Sequence, residues 1–313
     1  MWRSTRTAPL LATCSTDKVV NVFERKSPRL GWKKLCDLKS HGGYITKVRF
    51  CHPFRGRILL TCSFDTKIHV FQEDLIDGYG WKRRAILNCN NAAVTDAQFC
   101  PYFVGPRAHQ AGHVIVFEAP DPLNLTAWNT IYELHLGDFR ISAITWDRNR
   151  FLDQPVLFVA SDDPTAPSHL RAVLLEVNYN RQASNWTLEP NLLVRCAAFA
   201  PSSSPSYSRL AIATQSAIFV YAVVYEKPSP TSKFQLKKAP FLIGRLENEP
   251  MAVVSIKWNR QGSSLAVQYE DGKCAHLPAN VQFRLEESGD RWNSRSPAAL
   301  ERPFWSSIER VVC

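Results

Sequence analysis

Short stretches in which apolar and polar residues alternate run through most of this chain. In one of them, Ile68 and Val70 alternate with Lys67 and His69. This period of two is typical of a β-strand, because successive side chains of a strand point to opposite faces of the sheet. Stripes with the spacing of an amphipathic helix are scarce, so the pattern predicts an all-β protein.

Two of these stretches are near copies of each other. The phrase LLATCSTDKVVNVFE at residues 10–24 returns at residues 58–73 as ILLTCSFDTKIHVFQE, with Asp17 falling on Asp65. A second repeated phrase is an alternating strand that ends in an aromatic residue, at Phe50, Phe99, Trp146, Phe199 and Trp258. Repeats of about 40 to 50 residues with about four short strands each are typical of propeller blades.

The repeats predict a six-bladed β-propeller, and the resemblances described below imply that it is an open WD-repeat propeller with incomplete first and third blades. The first blade lacks a strand before Leu10, and the third contains Pro106 and Gly112, which are poor residues for a strand interior. The predicted blades span residues 10–39, 44–90, 94–136, 140–192, 194–247 and 253–287. We expect an N-terminal extension at 1–9, the propeller at 10–288 and a C-terminal tail at 289–313.

Composition and charge narrow the functional classes. The chain has 313 residues, 45% of them hydrophobic, and a formal charge of +10. Because the basic residues occur as scattered pairs and triplets, a solvated surface is the preferred interpretation, with a basic face toward RNA, chromatin or lipid left open. The longest uncharged apolar stretch, residues 217–225, is too short to span a membrane, for which ~18 residues are needed.

Candidate chemistry is sparse. Nine cysteines without a CxxC pair favour reduced cysteines over a disulfide framework or a zinc site. His109 and His113 have the spacing of two metal ligands on a helix, but the glycine between them favours a loop. No glycine-rich phosphate loop is present, so no cofactor is expected.

Three residues could in principle form a hydrolase triad: His41, Ser63 and Asp65. The chain has no GxSxG elbow, and hydrogen bonding within a blade explains the same residues. We therefore predict that the protein is not an enzyme.

The stretch SFDTKIHVF, with SHGGYI upstream, resembles a blade of the WD-repeat class. In that class an aspartate between two strands bonds to a histidine of the preceding loop, and Asp65 and His41 match those positions, with Ser63 nearby. Asp17 and Asp271 occupy the same turn in the first and sixth blades. Phe71 replaces the usual tryptophan, so the resemblance implies a shortened hydrogen-bonding chain.

A longer stretch, FEAPDPLNLTAWNTIYEL at residues 117–134, resembles the SEH (SEC-thirteen homologue) family of nucleoporins. VASDDPTAP at 159–167 and RLAIATQSAIFVY at 209–221 resemble the same family. The resemblance implies a non-catalytic scaffold subunit of the Y-shaped nuclear pore coat, in which a helical nucleoporin inserts a blade between the first and last blades. Strand addition of this kind uses backbone hydrogen bonds for affinity and side-chain pockets for specificity.

The same resemblance implies other coat subunits as partners, location at the nuclear pore, and support of protein and mRNA transport. It also implies a second address, a nutrient-signalling coat at the lysosomal or vacuolar membrane surface. The alternatives are a SEC-thirteen-like subunit of the COP-two vesicle coat and a basic propeller that binds RNA or chromatin. The residues predicted to form the partner edge are Leu11, Thr13, Val20, Val22, Cys274 and His276.

Overall fold

The computed structural model contains 23 β-strands and one short 3-10 helix, Ser168–Leu170, within the described residues. The described residues are 9–278 without 28, 52–55, 75–79, 90–92, 101–105, 111, 122–123, 178–183, 189–191, 202–203, 216, 237–238 and 248–251. The strands form six antiparallel sheets that follow one another along the chain. The all-β fold class is therefore confirmed.

The first three sheets, called blades below, have three, four and four strands. The first contains β1 (Leu10–Cys14), β2 (Val19–Glu24) and β3 (Lys33–Lys39). The second contains β4 (Ile45–Phe50), β5 (Ile58–Ser63), β6 (Lys67–Asp74) and β7 (Gly80–Asn88). The third contains β8 (Asp96–Phe99), β9 (Pro106–Gln110), β10 (His113–Glu118) and β11 (Asn129–His135).

The last three blades have four, five and three strands. The fourth contains β12 (Ala143–Trp146), β13 (Val156–Ala160), β14 (Ala172–Glu176) and β15 (Ser184–Thr187). The fifth contains β16 (Cys196–Phe199), β17 (Tyr207–Ala213), β18 (Ala217–Glu226), β19 (Gln235–Leu236) and β20 (Phe241–Glu247). The sixth contains β21 (Val253–Trp258), β22 (Ser264–Tyr269) and β23 (Cys274–Pro278).

The hydrophobic cores lie between successive blades. On β13, Leu157 and Val159 pack toward the third blade, whereas Val156 and Phe158 pack toward the fifth. β13 is thus apolar on both faces, as its continuous apolar sequence VLFVA requires. Cores join the blades in the order one to six, and among the described residues none joins the sixth blade to the first. The described part of the ring is open on that side.

In four blades, the aspartate of the repeated turn, or the alanine in its place in the third blade, is followed by a residue in the left-handed backbone region. The φ angle is +67° at Lys18, +68° at Thr66, +66° at Gly112 and +81° at Gly272. The left-handed region costs a residue with a Cβ atom about 1 to 2 kcal/mol. Two blades solve this with glycine, whereas the first and second accept the strain.

The third blade corrects one expectation, because it is not short of a strand. Pro106 is the first residue of β9, a strand position that proline tolerates, and Gly112 lies in the β9–β10 turn rather than inside a strand. His109 pairs in register with Val114 across this hairpin, so the segment predicted as a loop is a strand, turn and strand. Within the described residues no group of three or more potential metal ligands occurs.

Candidate docking faces and the histidine network

A buried histidine links the loop before β4 to the β5–β6 hairpin of the second blade. His41 Nδ1 lies 2.8 Å from Asp65 Oδ2, and His41 Nε2 lies 2.7 Å from Thr61 Oγ1. Asp65 also accepts hydrogen bonds from the backbone N–H groups of Gly42, at 2.8 Å, and Lys67, at 3.2 Å. One carboxylate therefore joins a loop, a strand and a turn.

The electrostatics keep the histidine neutral and the aspartate ionised. Burial lowers the pKa of His41 and outweighs the attraction of Asp65. Burial acts to raise the pKa of Asp65, but the hydrogen bonds from His41 and the backbone donors hold it below its usual range. His69 stacks on His41 with ring centroids 3.8 Å apart, and burial lowers the pKa of His69 to about 3. Two neutral imidazoles can stack this closely without charge repulsion.

The sequence analysis predicts blade hydrogen bonding for Ser63, but the structure divides this role between Ser63 and Thr61. The Ser63 hydroxyl accepts a hydrogen bond from the backbone of Asp65, at 3.1 Å, whereas the hydroxyl that meets His41 belongs to Thr61. Thr61 is fully buried, so a substrate has no path to it. The alternation of β5 contained the signal, since Thr61 lies two residues before Ser63 on the same face.

Asp17 and Asp271 lie in the equivalent turns but make only local contacts. Asp17 accepts from the backbone N–H of Val19, at 3.0 Å. Asp271 accepts from the backbone N–H of Lys273, at 2.9 Å, and pairs with its ammonium group at 3.0 Å. In these two blades the aspartate shapes the turn, and among the described residues it contacts no histidine.

Sequence reasoning missed a buried carboxylate between the fourth and fifth blades. Asp147 accepts hydrogen bonds from Ser208 Oγ, at 2.9 Å, from Asn149 N, at 2.8 Å, and from the hydroxyl of Tyr225. Burial raises its pKa to about 6, against the opposing effect of these donors. The sequence signal is that Asp147 directly follows a repeated aromatic residue, at a position where three other blades have cysteine or alanine.

In the second, fourth and fifth blades, the residue four positions before the repeated aromatic bonds to the following blade. Thr46 Oγ1 donates to Val94 O at 2.7 Å, and Ser142 Oγ donates to Val194 O. Arg195 of the fifth blade bonds to Glu270 of the sixth, at 2.8 Å. The equivalent residue of the sixth blade is Val254, which is 51% exposed. A blade that would cover it is missing from the described chain.

The first blade has a matching half-buried face. Ala12 and Val22 pack into the core shared with the second blade, whereas Leu11, Thr13 and Phe23 project from the opposite side and are half-buried. We call this side the first terminal face, and the side of the sixth blade that carries Val254, Cys274 and His276 the sixth terminal face. Cys274 and His276 are exposed, and they alternate with Ala275 and Leu277, which pack toward the fifth blade.

The backbone of β1 also faces outward along one edge. Arg25 N donates to Pro9 O at 3.1 Å, and hydrogen-bonded pairs alternate along an antiparallel ladder. The backbone groups of Leu11 therefore point to Phe23 on β2, and those of Leu10 and Ala12 point away from β2. Among the described strands, β2 is the pairing partner of β1.

The second blade shows which strand pairs with the equivalent edge of β5. Cys51 N donates to Ile58 O at 2.9 Å, so the residues of β5 equivalent to Leu10 and Ala12, which are Ile58 and Leu60, bond to β4. A strand equivalent to β4 would be the innermost strand of the first blade, next to β1. The described part of the first blade thus lacks that strand, as predicted for an incomplete blade.

Two of the six predicted edge residues are wrong. Val20 and Val22 lie on β2, the middle strand of its sheet, and their side chains are buried against the second blade. The other four side chains lie on the two terminal faces, although the backbone edge of β1 belongs to Leu10 and Ala12 rather than to Leu11 and Thr13. A single strand pattern does not tell which face is covered, because both faces of the first blade carry apolar residues.

The six sheets, the cores between them and the bond from His41 to Asp65 define a WD-repeat β-propeller. The family model described as WD domain, G-beta repeat matches residues 32–72, which include that histidine and aspartate. A chain in the structure described as "Crystal Structure of Mitotic Checkpoint Complex" superposes with a TM-score of 0.60 over 84% of this chain and 69% of that one. At 11% sequence identity, this likeness concerns the fold alone.

Within that class, the chain is similar to curated nucleoporins. The chain is 29% identical over 303 residues to nucleoporin SEH1 of Homo sapiens, covering 92% of this chain and 83% of that protein. It is 29% identical to nucleoporin SEH1-B of Xenopus laevis, covering 86% and 78%, and 27% identical to nucleoporin SEH1 of Danio rerio, covering 85% and 76%. The resemblance to the SEH family of WD-repeat nucleoporins is confirmed.

Proposed function

We propose that this protein is a non-catalytic scaffold subunit of the nuclear pore coat, and that it docks a helical nucleoporin through the open side of its propeller. The observation that carries the proposal is the backbone edge of β1, which matches the β4-paired edge of β5. A partner that supplies a strand there forms the ladder that the second blade forms internally. The nucleoporin relatives support the choice of partner class.

The composition of the terminal faces fits a partner that folds separately and then binds. The two terminal faces mix apolar Leu11 and Val254 with polar Thr13 and His276. Interfaces between separately folded proteins have this mixed character, which keeps the free subunit soluble. The partner blade would pack one side on each face.

The test is recovery of partners with the tagged protein from its own cells, at moderate salt, followed by mass spectrometry. We expect helical scaffold nucleoporins in near-equal amounts, and Val254→Glu to remove them because a charge then lies on the sixth terminal face. The matched control is Leu242→Glu, which places the same charge on a residue of the fifth blade that is 43% exposed. Equal loss from both variants would contradict docking at the terminal faces.

A backbone variant tests the edge of β1 separately. Leu10→Pro removes an N–H that points away from β2, so the fold should persist while partner recovery falls. Leu10→Ala, which shortens the side chain and keeps the N–H, controls for lost packing. Recovery of vesicle-coat subunits alone would favour the COP-two alternative, and nutrient-signalling coat subunits beside nucleoporins would add the second address.

A further inference from the structure

The hairpin between β2 and β3 ends in a surface whose large apolar side chains belong to none of the hydrophobic cores between the blades. We define the basic tip as residues 25–27 and 29–35. Three of its large apolar side chains are exposed: Leu30 at 61%, Trp32 at 40% and Leu35 at 39%. Leu35 is the extra residue of a β-bulge opposite Val22 and Phe23, and a bulge redirects a side chain that would otherwise follow the strand alternation.

The same tip concentrates positive charge. It carries Arg25, Lys26, Arg29, Lys33 and Lys34 and no acidic residue. Nearby acids are already engaged, since Glu24 pairs with Arg57 at 3.3 Å and Asp37 pairs with Lys34. Among the described residues no ion pair involves the other four cations. The Arg25 guanidinium lies 5.3 Å from the centre of the Trp32 ring, so one cation and the indole form a single surface.

We propose that the basic tip binds the surface of membranes that contain anionic lipids. Lysine and arginine beside an anionic leaflet each strengthen binding, tryptophan favours the headgroup level, and exposed leucines enter the boundary with the acyl chains. The membrane is the occupant because the tip joins aliphatic side chains to the cations. Leucines add nothing against phosphates or bases, which single-stranded nucleic acid binders grip with several aromatic platforms.

Another hairpin of the chain provides an internal comparison. Residues 227–234 connect β18 to β19 in the fifth blade and carry two cations, Lys227 and Lys233. The Lys227 ammonium lies 5.0 Å from the centre of the Phe234 ring, and Phe234 is half-buried. That hairpin has a cation and an aromatic ring but no exposed leucine. The basic tip therefore differs from the other hairpin in the feature that a membrane recognises.

The experiment is co-sedimentation of the full chain with vesicles of phosphatidylcholine alone and with about 30% phosphatidylserine. We expect binding to the anionic vesicles only. The variant K26Q/R29Q/K33Q should weaken it on the order of 100-fold, at about fivefold per cation. The control K227Q/K233Q/R260Q removes the same charge from exposed sites in the fifth and sixth blades, and it should bind like the unchanged protein.

A second variant separates membrane binding from general attraction to anions. Leu30→Ser keeps the charge and alters a side chain that is mostly exposed, so the fold is unaffected, and vesicle binding should fall about tenfold. Equal weakening by the two triple variants would overturn the proposal, because net charge alone would then explain binding. Binding to single-stranded RNA that depends on the same cations but not on Leu30, without binding to vesicles, would also overturn it. The docking of a nucleoporin at the terminal faces is independent of either outcome.

Discussion

Replacing Asp65 by alanine tests whether the histidine network stabilises the second blade. The substitution removes the acceptor of three hydrogen bonds, from His41 Nδ1, Gly42 N and Lys67 N. Gly42 and Lys67 lie at exposed positions, where water replaces the lost carboxylate. The His41 side chain is only 1% exposed, so its Nδ1–H group remains buried without an acceptor.

That buried donor sets the magnitude. Leaving one buried polar group unsatisfied costs about 1 to 3 kcal/mol, so we expect Asp65→Ala to lower the free energy of unfolding by about 2 kcal/mol. Asp17 occupies the same turn of the first blade and bonds only to the exposed backbone N–H of Val19. Asp17→Ala should therefore cost no more than about 0.5 kcal/mol.

The assay is urea unfolding at neutral pH, followed by tryptophan fluorescence, for the unchanged protein and both variants. Unequal midpoints at equal slopes would report the difference in stability. A cycle with His41→Ala adds a second measure, because the double variant no longer buries an unsatisfied imidazole and should lose less than the sum of the single losses. Equal losses for Asp65→Ala and Asp17→Ala would refute the argument that the buried histidine, rather than the turn, sets the cost.

Two further predictions concern other blades. Burial holds the pKa of Asp147 at about 6, so the folded carboxyl keeps its proton where the unfolded one, with a pKa of about 3.9, loses it, and stability falls as the pH rises between these values. The variant Asp147→Asn cannot ionise, so its free energy of unfolding relative to the unchanged protein should rise by about 2 kcal/mol between about pH 4.5 and about pH 7.5. Urea unfolding at both pH values measures this, and a stability difference that does not change with pH would contradict it. Gly112→Ala should lower the melting temperature more than Gly272→Ala: both have positive φ, but a Cβ atom at Gly112 would lie 1.4 Å from Gly137 O, and one at Gly272 meets nothing within 4 Å. Equal shifts in differential scanning fluorimetry would show that backbone strain alone decides both.

The sequence alone was sufficient for the propeller and its blades, because the information is local. Alternation within a strand and the return of Phe50, Phe99 and Trp146 at nearly equal intervals are properties of neighbouring residues. The link between His41 and Asp65 was implied by the resemblance to the WD-repeat class, whose blades join a loop histidine to a turn aspartate. In the third blade the same reasoning failed, because Pro106 and Gly112 were judged without knowing that they begin a strand and form its turn.

Only the tertiary structure decided which side of each strand is covered. Val20 and Leu11 are both apolar residues of the first blade, yet one packs against the second blade and the other lies on a terminal face. Asp147 likewise gains its meaning from Ser208 and Tyr225, which are 61 and 78 residues away. The first blade carries apolar residues on both sides, so composition does not distinguish its inner face from its open one. Register and the order of blades around the ring make that distinction.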